Sequence, residues 1–237
     1  MAKISKTARA VALGELQLEV TGCFACERLV AWRQAVAADP PKRFAGQQYW
    51  ARPVPAWGDP AARIIVVGLA PAANGANRTG RMFTGDRSGD WLYAAMHRAG
   101  LANQSAAIDR NDGLELHDSW LTSVVRCAPP DNKPTTGERD ACVGYLASEF
   151  ALLTEARVVV ALGSFAWDGV LRALALNGAA TPKPKPKFGH GAEAEVGTLR
   201  LVGSYHPSQQ NTFTGRLTEQ MLDDVFARAN QLAAGAG

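Results

Sequence analysis

Four short stretches of the chain are apolar at consecutive positions and rich in β-branched residues. Strands that are apolar on both faces are typical of a parallel sheet covered by helices on both sides. These stretches predict four strands, over residues 64–68, 120–125, 158–162 and 198–204.

Segments with helix-capping residues and helical periodicity lie between these runs. We expect a helix over residues 89–99 with Ser88 as its N-cap, and a helix that begins with a capping box of Thr135 and Glu138 and extends to about residue 154. Further helices are predicted over residues 24–37, 164–176 and 217–232. This alternation predicts an α/β fold, a three-layer sandwich with a central four-stranded, mostly parallel sheet.

Length and composition fit one globular domain over residues 1–237, in which residues 1–20 form a peripheral N-terminal segment. The chain is 47% hydrophobic and has a formal net charge of only +3. It has no run of about 18 apolar residues that could cross a membrane, and its N-terminus lacks the apolar stretch of a signal peptide. The mild net charge does not by itself indicate a nucleic-acid partner.

The four cysteines form two pairs that are distant in sequence. Cys23 and Cys26 make a C-x-x-C, and Cys127 and Cys142 follow about a hundred residues later. Four thiolates suit an iron–sulfur cluster or zinc. A second pair fifteen positions apart, with one member in a helix, is unusual for a zinc finger and favours a cluster. Disulfides, which need an oxidising compartment, and buried structural thiols are the alternatives.

Three loops with unusual composition follow predicted strands, over residues 68–86, 126–133 and 205–211. Ligands of open α/β sheets bind at the carboxyl ends of the strands, so these loops predict a site at one edge. The first loop is too long for a simple connection and contains Phe83 and Asp86. Phe83 could stack on a flat ring or fill the core, and Asp86 could hold a water or cap the next helix.

His206 directly follows the last predicted strand and precedes a proline, which restrains its backbone. A rigid histidine at the ligand edge of the sheet is a candidate catalytic group. Residues 182–187 alternate proline with lysine. This segment is either a stiff surface loop or a basic arm that contacts phosphates.

These motifs together resemble family 5 (type B) of the uracil-DNA glycosylases, the iron–sulfur-containing branch of that superfamily. The matching segments are GLAPAANGANRTGRMFTGD, VRCAPPDNKPT, VVVALGSFAW and YHPSQQNTFTGRLT, with the four cysteines in order. The resemblance implies hydrolysis of a base from its deoxyribose in DNA. It also implies a [4Fe–4S] cluster held by Cys23, Cys26, Cys127 and Cys142.

The resemblance also implies roles for individual side chains. Phe83 stacks on the flipped base, Asp86 holds the water, His206 faces the base oxygen, and Asn132 is a second polar helper. Backbone amides around Gly68, Ala70 and Pro71 are expected to approach the base. Flipping the nucleotide out of the stack costs a few kcal/mol, so the base needs such a pocket.

Two positions depart from the related families. Ser123, a candidate base contact, stands where family 4 has an asparagine that pairs with the uracil edge, and Asn74 stands where family 5 often has histidine. Fewer groups that read the base reduce discrimination. We therefore expect action on uracil and also on hypoxanthine and other modified bases. The alternatives are a uracil-only enzyme like family 4 and a non-catalytic iron–sulfur protein that binds DNA or acts in redox chemistry.

DNA contacts are expected from basic residues in or beside the three loops. The candidates are Arg78, Arg81, Arg126, Lys133 and Arg216. Leu217 could wedge into the gap left by the flipped base or pack in the core. The expected partner is double- or single-stranded DNA with damaged bases, bound by a monomeric, cytoplasmic protein associated with a prokaryotic nucleoid.

Overall fold

The computed structural model describes residues 5–235. Within this range the chain forms six strands, which are β1 (Trp57–Gly58), β2 (Ile64–Gly68), β3 (Ser119–Ser123), β4 (Val158–Leu162), β5 (Glu193–Val196) and β6 (Leu199–Ser204). The helices are α1 (Lys6–Thr21), α2 (Glu27–Ala38), α3 (Ala76–Thr79), α4 (Arg87–Arg98), α5 (Thr136–Leu152), α6 (Ser164–Leu176), α7 (Gln209–Phe213) and α8 (Glu219–Ala234). None of these helices is long and apolar enough to span a membrane.

The strands of this range make one mixed sheet in the order β1-β3-β2-β4-β6-β5. The four predicted strands are its centre and run parallel to one another. The prediction of a four-stranded sheet is wrong, because β1 and β5 add antiparallel edges. β1 has only two residues and β5 is mostly exposed, so neither carries the continuous apolar run by which the other strands were identified.

Alternate residues of the central strands face two separate hydrophobic cores. Ile65 and Val67 pack with α5 and α6 on one face of the sheet. Ile64 and Val66 pack with α4 and α8 on the other. The helices thus cover both faces, as expected for a three-layer sandwich.

The N-terminal segment, expected to be peripheral, is packed onto the molecule in its described part. Residues 1–4 lie outside the described range. Leu13 of α1 belongs to the core that includes α5, and Val20 is also buried. The Gln17 side chain donates to Glu149 of α5 at 3.1 Å and accepts from the Ala56 backbone at 2.8 Å. Helix α1 is therefore part of the helical layer.

A helix begins where predicted when the predicted side chain forms its N-cap, and elsewhere when another side chain does. The Thr135–Glu138 capping box of α5 is present. Helix α4 begins earlier than predicted, because Asp86 rather than Ser88 caps it. Helix α8 begins at Glu219 with Thr218 as its cap.

Candidate functional site

The loop after β2 is compact because glycines occupy the positions against which its other residues pack most closely. The Phe83 ring lies over Gly68, where a β-carbon would stand 2.5 Å from Phe83 Cζ. A β-carbon at Gly89 of α4 would collide even more closely with the Phe83 carbonyl oxygen. Phe83 itself has φ 54° and is 9% exposed. The absence of a side chain at Gly68 thus makes room for the Phe83 ring, whereas the approach of its backbone amide to a base stays a prediction.

Asp86 is the N-cap of α4 and has one oxygen left over. Its Oδ1 accepts the backbone N–H groups of Ser88 at 2.8 Å and Gly89 at 3.2 Å. Its Oδ2 lies against Gly75 and accepts no hydrogen bond from the described residues. Burial raises the pKa of the carboxyl, and the two capping hydrogen bonds oppose that rise. Asp86 can therefore cap α4 with Oδ1 and still bind a water or another ligand with Oδ2.

His206 lies beside Phe83, just after β6. The two ring centroids are 6.1 Å apart, and the rings are tilted by 31°. Asn211 donates to the His206 carbonyl at 2.9 Å and fixes the turn. Burial lowers the pKa of His206 to about 4, so its imidazole is neutral at physiological pH. The structure thus brings together two of the three predicted central residues, and Asp86 lies three positions after Phe83 on the same loop.

Tyr205, adjacent to His206, is held in a stack of rings. Its ring centroid is 5.1 Å from that of His190 and 6.3 Å from that of Phe188, and the Arg216 guanidinium lies 4.6 Å from its centre. Its backbone N–H donates to His190 Nδ1 at 3.2 Å. His190 could not be identified from local pattern, because Tyr205 is fifteen residues away in the chain. This stack fixes the backbone that carries His206.

The other predicted base contacts and Asn132 differ in burial. Ser123 is buried, and its hydroxyl donates to the Val125 carbonyl at 2.8 Å, so its proton is not free for a base; its contact with a base stays a prediction. Pro71 is buried and has no N–H to donate, whereas Ala70 is half-buried. Asn132 is exposed in a 3₁₀ turn after β3, with φ 55°. Its role stays a prediction.

Several predicted DNA contacts are engaged inside the protein. Arg126 is 1% exposed and pairs with Glu149 at 2.7 Å. Arg81 is buried and makes a two-pronged ion pair with Asp112, at 2.8 and 2.6 Å. Leu217 is 0% exposed and packs in the core. The predictions that these three residues contact DNA are wrong. They were made from position in the sequence, which does not show the ion-pair or packing partners that lie far away in the chain.

Arg78 has a different role from the predicted one. Its guanidinium donates to the Asn74 carbonyl at 2.9 Å, the Gln47 side chain at 2.9 Å and the Gly85 carbonyl at 3.1 Å. It therefore clamps the loop that carries Asp86. Lys133 and Arg216 are exposed, and no carboxylate of residues 5–235 pairs with either. They remain available for an external anion.

Arginines also lie over aromatic rings next to the same loop. Arg43 and Arg78 lie on Phe44, at 4.7 and 4.3 Å from the ring centre. Trp50 packs on Gly80 of the loop, and Arg52 and Arg110 lie 5.8 and 4.5 Å from its ring centre. These residues were missed, although the alternation of basic and aromatic residues in 42–52 is visible in the sequence.

The other end of the strands has a different charge arrangement. Arg63, just before β2, pairs with Asp118, and Arg200, at the start of β6, pairs with Glu195. Among residues 5–235, Arg43, Arg52 and Arg110 form no ion pair. Uncompensated positive charge therefore flanks the edge that carries Phe83 and His206.

An exposed aromatic ring lies in the loop that follows His206. Phe213 ends α7 and is 68% exposed, and the Arg87 guanidinium lies 4.9 Å from its ring centre. An exposed large apolar side chain beside a candidate site often marks a contact surface. Phe213 was missed because the prediction assigned this place to Leu217.

The lysine–proline segment is a surface loop tied to α6. Lys185 pairs with Asp168 at 2.7 Å, and Trp167 donates to the Pro186 carbonyl at 3.0 Å. Lys183 and Lys187 are exposed. The loop therefore is not a free arm.

The four cysteines line one cavity. It encloses about 350 Å³, including space open to solvent, and its lining comprises Cys23, Ala25, Cys26, Leu29, Val30, Pro53, Val125, Arg126, Cys127, Ala141, Cys142 and Tyr145. All four cysteines are free, which contradicts the disulfide alternative. Among residues 5–235, no three Cys, His, Asp or Glu side chains are arranged to hold one metal ion.

The pKa values of two thiols in the cavity are strongly raised by their surroundings. Burial raises the pKa of Cys127 to about 11 and that of Cys142 to about 12. Arg33 Nη1 donates to Cys127 Sγ at 2.9 Å, and the Arg126 backbone N–H donates to Cys142 Sγ at 3.3 Å. The cavity thus contains sulfur atoms together with donors aimed at them.

Comparison with known proteins agrees with the geometry. Residues 55–230 match the Uracil DNA glycosylase superfamily. Type-5 uracil-DNA glycosylases of Mycobacterium tuberculosis, Thermus thermophilus and Pyrobaculum aerophilum are 54%, 48% and 45% identical to this chain. The alignments cover 92%, 90% and 92% of this chain and 81%, 95% and 91% of the relatives. The chain belongs to the uracil-DNA glycosylase superfamily, and within it to family 5.

Proposed function

We propose that this protein hydrolyses the N-glycosidic bond of uracil in DNA and leaves an abasic site. The observation that carries the proposal is the proximity of the Phe83 and His206 rings, with Asp86 on the same loop, in a chain of this superfamily. These are the three groups that base removal needs: a stacking surface, a hydrogen-bond donor and a carboxylate.

The target base must leave the DNA stack before it can react, at a cost of a few kcal/mol. One face of Phe83 is covered by Gly68. A base stacked on the ring would regain about 1–3 kcal/mol. Its edge would then face His206, whose ring lies 6.1 Å from that of Phe83.

His206 serves as a neutral hydrogen-bond donor. As the bond to the sugar breaks, negative charge grows on the base oxygen. A preorganised donor at that oxygen is worth about 2.7–4 kcal/mol in the transition state. The lowered pKa of His206 keeps the imidazole neutral, and the Tyr205 stack and Asn211 hold its backbone.

Asp86 positions the attacking water and supports the cationic sugar. Its Oδ1 is used by the helix cap, whereas Oδ2 remains for a water. The N-terminal end of α4 favours the ionised carboxylate, and the sugar resembles the oxocarbenium ion of other glycosidases. Asn132 is assigned as a second group that holds the water or the base.

The enzyme should accept several damaged bases. The Ser123 hydroxyl is buried and donates to a backbone carbonyl, so no amide or free hydroxyl at this position reads the uracil edge. Rejection of wrong bases depends on polar groups that they leave unpaired. Hypoxanthine and other modified bases are therefore proposed as further substrates.

DNA is held by the uncompensated basic residues beside the loops. These are Arg43, Arg52, Arg87, Arg110, Lys133 and Arg216. Five of these side chains, all except Lys133, are guanidiniums that lie over the rings of Phe44, Trp50, Phe213 or Tyr205. Because the rings restrict their motion, these guanidiniums are preorganised for phosphates. Phe213 takes the role of the wedge that fills the gap left by the flipped nucleotide.

A [4Fe–4S] cluster held by Cys23, Cys26, Cys127 and Cys142 fits the cavity. Four sulfurs and Arg126 line it, and Arg33 contacts Cys127. Buried nitrogen atoms of both arginines have no hydrogen-bond partner among the described residues. A cluster is favoured over zinc because Cys127 and Cys142 are fifteen positions apart and Cys142 lies inside α5, an arrangement unusual for a zinc finger. A bound cluster would be structural, since hydrolysis moves no electrons.

The cysteine region is joined to the loop that carries Asn132. Arg28, two residues after Cys26, donates to Glu138 at 2.7 Å from both Nε and Nη2, and to the Lys133 carbonyl at 3.1 Å. Loss of the order around Cys26 should therefore disturb residues 132–133. This connection gives the cysteines an indirect role in catalysis.

The test is incubation with duplexes that contain uracil, hypoxanthine or only normal bases, followed by alkaline cleavage at abasic sites. Wild type should excise both uracil and hypoxanthine, so that alkali cleaves the strand at both lesions. Asp86→Asn and His206→Ala should lower the rate of excision at least a hundredfold while they still bind DNA. Cleavage at uracil alone would support the family 4-like alternative. No cleavage by wild type with DNA binding retained would support the non-catalytic alternative.

A further inference from the structure

Two guanidinium groups are buried beside the cysteine cavity, and one buried carboxylate accompanies them. Arg33 is 0% exposed and Arg126 is 1% exposed. Glu149 pairs with Arg126, whereas no carboxylate of residues 5–235 lies within 4.0 Å of Arg33. A buried charge without a counter-charge costs several kcal/mol. The surroundings of the cavity therefore have an excess of positive charge, that of Arg33, which contacts Cys127.

The atoms nearest to these arginines include cysteine sulfurs. Arg33 Nη1 donates to Cys127 Sγ at 2.9 Å, and its Nη2 donates to the Cys23 carbonyl at 3.4 Å. Arg126 lines the cavity, and its backbone N–H donates to Cys142 Sγ. The Nε atoms of both arginines and Nη1 of Arg126 have no hydrogen-bond partner among residues 5–235.

We propose that Arg33 and Arg126 provide the positive charge that balances an anionic, thiolate-bound iron–sulfur cluster, with Arg33 as the direct partner of Cys127. This inference rests on the cluster of the proposed function. Four thiolates outweigh the positive charge of the oxidised core, so the assembly is anionic. Hydrogen bonds to sulfur and nearby net charge set the potential of such a cluster.

The position of Arg126 is fixed by three elements of the fold. Its partner Glu149 lies on α5 and also accepts the Thr122 hydroxyl of β3 at 2.7 Å and the Gln17 amide of α1 at 3.1 Å. Arg33 has no such carboxylate. Arg33 therefore depends more on the thiolates and provides the sharper test.

The experiment compares anaerobically purified holoprotein of wild type, Arg33→Met, Arg33→Lys and Arg98→Met. Arg98 pairs with Asp223 between α4 and α8 and serves as the control. The measurements are iron per chain, visible absorbance and the rate of iron release to a chelator. Arg33→Met should release iron about 10–100 times faster, the usual effect of losing an outer-shell partner. Arg33→Lys, which keeps the charge, should stay near wild type, as should Arg98→Met.

The midpoint potential of the cluster is a second readout. Removing a positive charge disfavours the more negative, reduced form, so Arg33→Met should lower the potential. A tenfold change in the one-electron equilibrium corresponds to about 59 mV. A purely structural contact would not produce this shift together with rescue by lysine.

Each outcome decides a separate point. Equal iron release from Arg33→Met and Arg33→Lys, or wild-type release from both, would overturn the charge proposal. If Arg33→Met fails to fold, Arg33→Gln, which removes the charge but keeps a polar side chain with an N–H donor, should also release iron faster than Arg33→Lys; wild-type release from it overturns the proposal. Wild type without iron or visible absorbance would instead overturn the cluster itself, whatever its activity on uracil.

Discussion

The free oxygen of Asp86 lies against the backbone of Gly75, where any β-carbon would collide with it. Because Oδ1 is held by the N–H groups of Ser88 and Gly89, the carboxylate cannot rotate away without losing the α4 cap. Gly75 therefore decides where the free oxygen of Asp86 points. This dependence is not visible from the sequence, in which the two residues are eleven positions apart.

The first prediction concerns this contact. Gly75→Ala should displace the Asp86 carboxylate and lower kcat by at least tenfold, with a smaller change in KM. Single-turnover excision of uracil measures the effect. Gly144→Ala, at a helical glycine with nothing within 4 Å of the added carbon, is the matched control and should stay active. Full activity of Gly75→Ala would show that the position of Oδ2 does not matter.

The second prediction concerns the pH dependence of stability. His206 is neutral in the folded protein down to its pKa of about 4, whereas an unfolded histidine titrates near 6.5. Between these values the unfolded chain binds a proton that the native chain does not, so stability falls as pH falls from about 6.5 toward 4. Denaturant unfolding at pH 7 and pH 5 should show a smaller loss for His206→Gln than for wild type. His117→Gln, at an exposed position, should behave like wild type, and equal losses in all three proteins would contradict the burial of His206.

The third prediction concerns salt. Replacing Arg43, Arg52 and Arg110 by Gln should make the slope of log affinity against log salt shallower by up to about 2.7, since each phosphate contact to duplex DNA contributes about 0.9. Fluorescence anisotropy at several salt concentrations gives the slope. The same change at Arg98, Arg200 and Arg228, which are ion-paired, should leave it unchanged. An unchanged slope in the first variant would remove these residues from the DNA-binding surface.

The fourth prediction separates Phe213 from Leu217. Phe213→Ala should slow excision from duplex DNA more than from single strands, because only a duplex closes over the gap. Its unfolding free energy should stay near that of wild type, since the ring is exposed. Leu217→Ala should instead lose about 2–5 kcal/mol of stability, as buried leucines do. If Phe213→Ala slows both substrates equally, the ring is not a wedge.

The sequence predicted the centre of the fold because the parallel strands are buried on both faces. Residues 158–162 and the Thr135–Glu138 box were assigned correctly from local pattern alone. The edge strand β5 could not be found this way, because its exposed residues do not carry a continuous apolar pattern.

The catalytic loops were located from composition, but the roles of charged residues were not. Arg81 and Arg126 look like DNA contacts until their carboxylates, Asp112 and Glu149, are brought beside them by folding. The same holds for Leu217 and Phe213, which are four residues apart in sequence: the fold buries Leu217 and exposes Phe213, at the end of α7. Local pattern identifies elements, whereas pairing between distant residues requires the three-dimensional structure.

The alternation of Ile64, Ile65, Val66 and Val67 between two cores limits how this chain can change. Deleting one residue inside β2 would exchange the sides of every position that follows it in the strand. Gly68 would then move from beneath the Phe83 ring, and a bulkier neighbour would take its place. Insertions should therefore be tolerated in the exposed turns at the opposite end of the strands, whereas the number of residues in β2 is fixed by the ring at its end.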